Sequence, residues 1–112
     1  MASLSDEDAA RVRAFVEREQ FDLEFLTTIG GFGDEQRVWD REGALVRLTR
    51  DRGQWWCDLS HRGSPDWFDI DLVAAALGSK SNDVVDRLRG VIGAFTDGRL
   101  LEPLRAYRDG AR

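Results

Sequence analysis

Four apolar residues at helical spacing open the chain. Ala9, Val12, Phe15 and Val16 recur at steps of three and four and predict an amphipathic helix over residues 5–19. Ser5 is placed to cap it, because its hydroxyl can accept a free first-turn N–H. Asp6, Glu7 and Asp8 stand at the positive end of the helix dipole. The period then changes to two. Phe21, Leu23, Phe25 and Thr27 alternate with Asp22, Glu24 and Thr28, which predicts a strand with one buried face. Leu26 interrupts the alternation and leaves a short helix open as the alternative. Gly30, Gly31 and Gly33 predict a turn or loop after it.

The β pattern is clearest in the middle of the chain. A run over 36–40 meets a turn at Arg41, Glu42 and Gly43, which leads into a run over 44–49. A second turn, 50–53, ends in Gly53 and leads into a run over 54–60. Each turn closes on a glycine, which can take the positive φ of a hairpin bulge. These turns predict a three-stranded meander. In its second hairpin Leu48 is expected opposite Trp55, Val46 opposite Cys57 and Ala44 opposite Leu59, all on the core side. Arg37, Trp39, Leu45, Arg47 and Trp56 are expected on the other side. That face is unusually aromatic for one in water, so either a helix covers it or it binds something.

Helical periods return towards the C-terminus. Residues 69–77 predict a short helix ended by Gly78. Val84, Val85, Leu88, Val91, Ile92 and Phe95 share one face of a helix over 83–96. Leu100, Leu101, Leu104 and Tyr107 predict a last short helix with Pro103 in its first turn. One helix, about four strands and then two or three helices predict an α+β fold: a single domain over residues 1–112, with the C-terminal helices packed on an antiparallel meander.

Composition agrees with a folded domain and narrows its setting. The chain has 112 residues, 42% hydrophobic and 33% charged, enough for one core rather than a disordered chain. No apolar run approaches the length of a membrane span. The polar, acidic start lacks the pattern of a signal peptide. Cys57 is the single cysteine, so no internal disulfide can form. These features predict a cytoplasmic protein with no membrane association. The formal net charge of −5 disfavours contact with nucleic-acid backbones and favours basic partners. Fifteen of the sixteen basic residues are Arg, which a GC-rich genome would explain without any recognition role.

Several residue groups could carry chemistry. His61, with Asp58, Asp66 or Asp69, could serve as a general base. Ser60 and Ser64 lie close in sequence, but no nucleophile elbow surrounds them. Asp66, Asp69 and Asp71 could be read as oxygen ligands, but their spacing matches no calcium loop, and a helix-capping role explains them better. The segment Gly30, Gly31, Phe32, Gly33 lacks the third glycine of a dinucleotide fingerprint, because position 36 is Gln. Cys57 falls on the core side of its strand. No cofactor and no metal are expected. Trp39 and Trp56, beside Arg37 and Arg47, are residue types that concentrate binding energy at interfaces.

The stretch Val46-Arg47-Leu48-Thr49-Arg50-Asp51-Arg52-Gly53-Gln54-Trp55-Trp56-Cys57-Asp58-Leu59, followed by Trp67-Phe68-Asp69, Leu72-Val73 and Leu77-Gly78, carries a resemblance. Residues 36–78 are similar to small immunity proteins of bacterial polymorphic toxin systems, and to uncharacterised actinobacterial proteins of like size. The resemblance implies a non-enzymatic inhibitor that binds a cognate toxin domain in the cytoplasm. An acidic chain suits a basic toxin, with Asp66, Asp69 and Asp71 or the Trp39/Trp56 face as contacts. Two alternatives stay open: a small hydrolase-like enzyme using His61 and a nearby Asp, and a self-associating structural protein, such as a homodimer.

Overall fold

The computed structural model describes residues 3–29 and 34–110. Helix α1 (Asp6–Arg18) leads into strands β1 (Asp22–Ile29), β2 (Asp34–Arg41), β3 (Ala44–Asp51), β4 (Gln54–His61) and the two-residue β5 (Phe68–Asp69). Helices α2 (Ile70–Ala76) and α3 (Val84–Val91) follow. A single 3-10 turn (Ile92–Phe95) extends α3, and α4 (Leu101–Gly110) ends the described chain. The strands form one antiparallel sheet in the order β1-β2-β3-β4-β5. The fold is α+β, with five strands where about four were expected. The short β5, which runs straight into α2, is the addition. The glycine loop expected at Gly30, Gly31 and Gly33 lies outside the described residues.

Helix ends follow their side-chain chemistry. Ser5 caps α1 by accepting the Asp8 N–H at 3.0 Å. Asp69 caps α2 through the Asp71 N–H, and Asp83 caps α3 through the Asp86 N–H. Arg11 of α1 reaches the same Asp83 carboxylate at 2.5 and 3.1 Å, tying the first helix to the start of the third.

The turns decide which side chains meet. Glu42 and Gly43 have φ of 55° and 90°; Arg52 and Gly53 have 53° and 78°. Positive φ at both central residues is the type I′ arrangement, whose twist matches the strands it joins. Both hairpins therefore close on two residues, with Arg41 opposite Ala44 and Asp51 opposite Gln54. In the second hairpin this moves the expected pairing by two: Leu48 faces Cys57, Val46 faces Leu59 and Ala44 faces His61. An even shift leaves every side chain on its expected side.

The first hairpin differs by one residue, and a one-residue difference exchanges the faces. Trp39 lies opposite Val46, and Arg37 opposite Leu48. Trp39 is thus a core residue, 3% exposed, instead of a member of the outer face. Arg37 likewise lies on the helix side. The core packs Trp39, Val46, Leu48, Cys57, Leu59 and Phe68 of the sheet against Val12, Phe15 and Val16 of α1, Val73 of α2, Leu88 of α3, Phe95 and Leu104. All helices lie on this one side.

Strand β1 is less regular. A bulge between Leu23 and Phe25 breaks its alternation, so Leu23 lies across from Trp39 while Phe25 lies across from Val38, on the opposite face. Leu23, Phe25 and Leu26 are 51%, 47% and 49% exposed. The buried apolar face expected for this strand is therefore not formed. Phe21, just before it, is buried.

Candidate functional site

The side of the sheet away from the helices is the candidate site. Antiparallel pairing places one transverse row across it: Phe25, Val38, Arg47, Asp58 and Asp69. Gln36, Thr49 and Trp56 form the row on one side. Asp40, Leu45 and Ser60 form the row on the other. Val38, Leu45 and Trp56 are partly exposed, and none of them belongs to the core. No described helix packs over them.

Arg47 organises the centre. Its Nη2 donates to Asp58 Oδ2 at 3.0 Å across the β3–β4 pair, and its guanidinium lies 4.2 Å from the Trp67 ring centroid. An Arg held by a carboxylate and stacked on an indole keeps a fixed orientation while its charge is only partly cancelled. At the end nearest the first turn, Arg62 bridges Glu24 at 2.7 Å and also pairs with Asp40. The face thus combines Phe25, Val38, Leu45, Trp56 and Trp67 with four acids (Glu24, Asp40, Asp58, Asp69) and two arginines. Aromatic side chains and Arg are the residue types that concentrate binding energy at interfaces.

The β4–β5 end is closed by the chain itself. Residues 62–67 fold back, and Ser60 Oγ donates to the Asp66 carbonyl at 2.6 Å in a fully buried position. Asp66 accepts from Arg105 Nε at 2.5 Å, Asp71 pairs with Arg87, and Asp69 is the buried cap of α2. The three acids are thus dispersed, each holding a helix. Burial raises the Asp69 carboxyl above the ordinary aspartate range, and the neighbouring Asp71 adds to this. Among the described residues, no three His, Cys, Asp or Glu side chains converge in a way that could hold a metal ion.

His61 is set apart from those acids. Its Nδ1–H donates to the Phe95 carbonyl at 2.8 Å. A Cβ on Gly43 or on Gly98 would stand 3.0 Å from the imidazole, and both glycines have positive φ. The ring is therefore clamped between the first hairpin turn and the segment after the 3-10 turn. Asp58, Asp66 and Asp69 are all engaged elsewhere, so the His–Asp pair considered from the sequence is not assembled. Cys57 is buried, and loss of solvation pushes its thiol well up, which keeps it protonated.

Of the residues singled out by sequence, the structure places Arg47 and Trp56 together on the open face and sends Trp39 and Arg37 to the other side. Leu45 lies there as expected, while Trp67, Val38 and Phe25 join the face unforeseen. The available signal was the X-Gly pair in each turn, Glu42-Gly43 and Arg52-Gly53, which fits a two-residue hairpin. Among the described residues, no helix is long and apolar enough to cross a membrane.

Comparison with protein-family models, with curated proteins and with solved structures gives no match.

Proposed function

We propose that this chain is a non-enzymatic, cytoplasmic protein-binding module that engages its partner through the helix-free face of the sheet. One observation carries the reading: Phe25, Val38, Leu45 and Trp56 lie together, partly exposed, around the Arg47–Asp58–Trp67 centre. A monomer rarely leaves a contiguous aromatic and aliphatic patch to water without a use for it. The net charge of −5 favours a basic partner. In the finer form of the proposal, the partner is a basic toxin domain and the chain is its immunity protein. That form draws on the resemblance over residues 36–78, the small size and the acidity. The clamped imidazole, held away from Asp58, Asp66 and Asp69, makes this a better reading than a hydrolase.

Protection is the test. Co-expressed with the toxin encoded beside it, the chain should restore growth, and Trp56→Ala with Phe25→Ala should abolish the rescue while the protein stays folded. Failure of the unaltered chain to protect would remove the toxin assignment. Unimpaired rescue by the double variant would remove the open face as the contact.

A second reading rests on β1. An edge strand with three half-exposed apolar side chains, Leu23, Phe25 and Leu26, is suited to pairing with another copy. Sedimentation at several concentrations should then show a dimer that Phe25→Lys disperses.

A further inference from the structure

The helix-bearing side holds a cavity of about 230 Å3 between α1 and β2, β3 and β4. Arg13 enters from α1, while Arg37, Arg50 and Trp55 enter from the strands, and Leu48 contributes an apolar wall. Asp6 stands at the rim, where its carboxylate accepts the Trp55 indole N–H at 2.9 Å. Trp55 and Arg50 are direct cross-strand partners, and the guanidinium lies 5.9 Å from the ring centroid.

The arginines here differ from most of the others. Nine described arginines pair with a carboxylate: Arg37 does so with Glu35 at 2.9 Å, and the rest lie outside this cavity. Arg13 and Arg50 pair with none among the described residues. The Arg50 Nε–H is buried without any hydrogen-bond partner. Arg13 and Arg50 therefore bring cationic charge to the cavity lining with no carboxylate of their own among the described residues, and a buried unpaired donor adds to the cost of leaving Arg50 without a counter-ion.

We propose that this cavity binds a small carboxylate whose apolar body lies against Leu48 and the Trp55 ring. Three guanidinium groups face Asp6 and Glu35, so one positive charge is left over, matching a singly charged anion better than a phosphate dianion. Guanidinium and carboxylate also match in planar, forked geometry. The volume falls below the roughly 300–1,000 Å3 of drug-sized ligand sites, which limits the guest to a small molecule or one terminal residue. The same chemistry is offered by a free carboxylic acid and by the C-terminus of a peptide that ends in an apolar residue. This site is separate from the helix-free face and does not depend on the function proposed for it.

Nitrogen-15 NMR of the full chain tests the proposal through the Arg Nε–H and Trp indole signals. Phenylacetate should shift the Arg50 Nε–H and Trp55 indole signals saturably, while neutral phenylacetamide should not. Arg13→Gln should weaken binding by about tenfold or more, the size expected for one charge-assisted contact. Arg50→Lys, which keeps the charge but loses the planar, forked donor set, should weaken it as well, and Trp56→Ala should leave it unchanged. The Trp39 indole signal reports that each variant is folded. A tripeptide ending in Phe, with a free or an amidated terminus, separates the two sources. Tighter binding of the free-terminus peptide than of phenylacetate assigns the site to a chain end, and the reverse assigns it to a free acid. Equal shifts with the amide, no saturation, tighter binding of inorganic phosphate, or unchanged affinity in Arg13→Gln would each overturn the proposal.

Discussion

Trp39 and Trp56 sit on neighbouring parts of the same sheet and face opposite ways. Trp39, across from Val46, is enclosed by the helices; Trp56, across from Thr49, has no helix above it. Each is an indole inside an eight-residue strand that joins a two-residue turn. What separates their roles is the phase of the strand relative to its turn. Burial in a half-covered sheet is thus a property of register, and register is decided by two turn residues.

Four measurements would break or sharpen this contrast, and the largest effect belongs to the tryptophans. Trp39→Ala should cost about 3–5 kcal/mol in denaturant unfolding, whereas Trp56→Ala should cost no more than about 1 kcal/mol. Similar costs for both would mean that the outer face is packed after all. Within β3 alone, Leu48→Ala should lose about 2–5 kcal/mol and Leu45→Ala well under half of that, because only Leu48 reaches the core.

A double-mutant cycle on Arg47 and Asp58 should give a coupling of about 1 kcal/mol or less. Their side chains are 23% and 16% exposed, so water still screens the pair. A much larger value would show that the face is drier than its exposure implies. The smallest effect concerns Asp69. Its folded carboxyl sits above the ordinary value, so its favourable contribution is present at low pH and is lost as pH rises through the folded pKa. Asp69→Asn keeps an oxygen for capping and should equal or exceed the unaltered chain at pH 7, within about 1 kcal/mol. That advantage should vanish on acidification. Asp83, lowered chiefly by the Arg11 hydrogen bond, should behave oppositely: its contribution is present at neutral pH and is lost as pH falls through its folded value.

The helices were legible because each carries its own signals. Ser5 and the acids after it mark the start of α1, and the Val84–Phe95 period marks α3 with its 3-10 extension. The second hairpin was legible as to face, since an error of two residues in register cancels. Trp39 was not, because a three-residue turn and a two-residue turn fit Arg41, Glu42 and Gly43 equally well by composition, and Glu42 must take a positive φ in the shorter one. The bulge at Leu23 and Phe25 depends on contact with β2, which no local pattern encodes. The open face was half legible: Arg47 and Trp56 stand out by type, but Trp67 reaches Arg47 only after the chain has turned back through residues 62–67.

Every strand in this sheet neighbours the one that comes next in the chain. Self-assembly can therefore proceed by zipping, each hairpin presenting a ready template for the following one, and the two shortest connections demand little loop-closure entropy. The search for distant partners falls mainly to α1, which must wait for β4 before its apolar side has anything to cover. Rapid hairpin formation with late docking of the amino-terminal helix is the kinetic order this wiring implies.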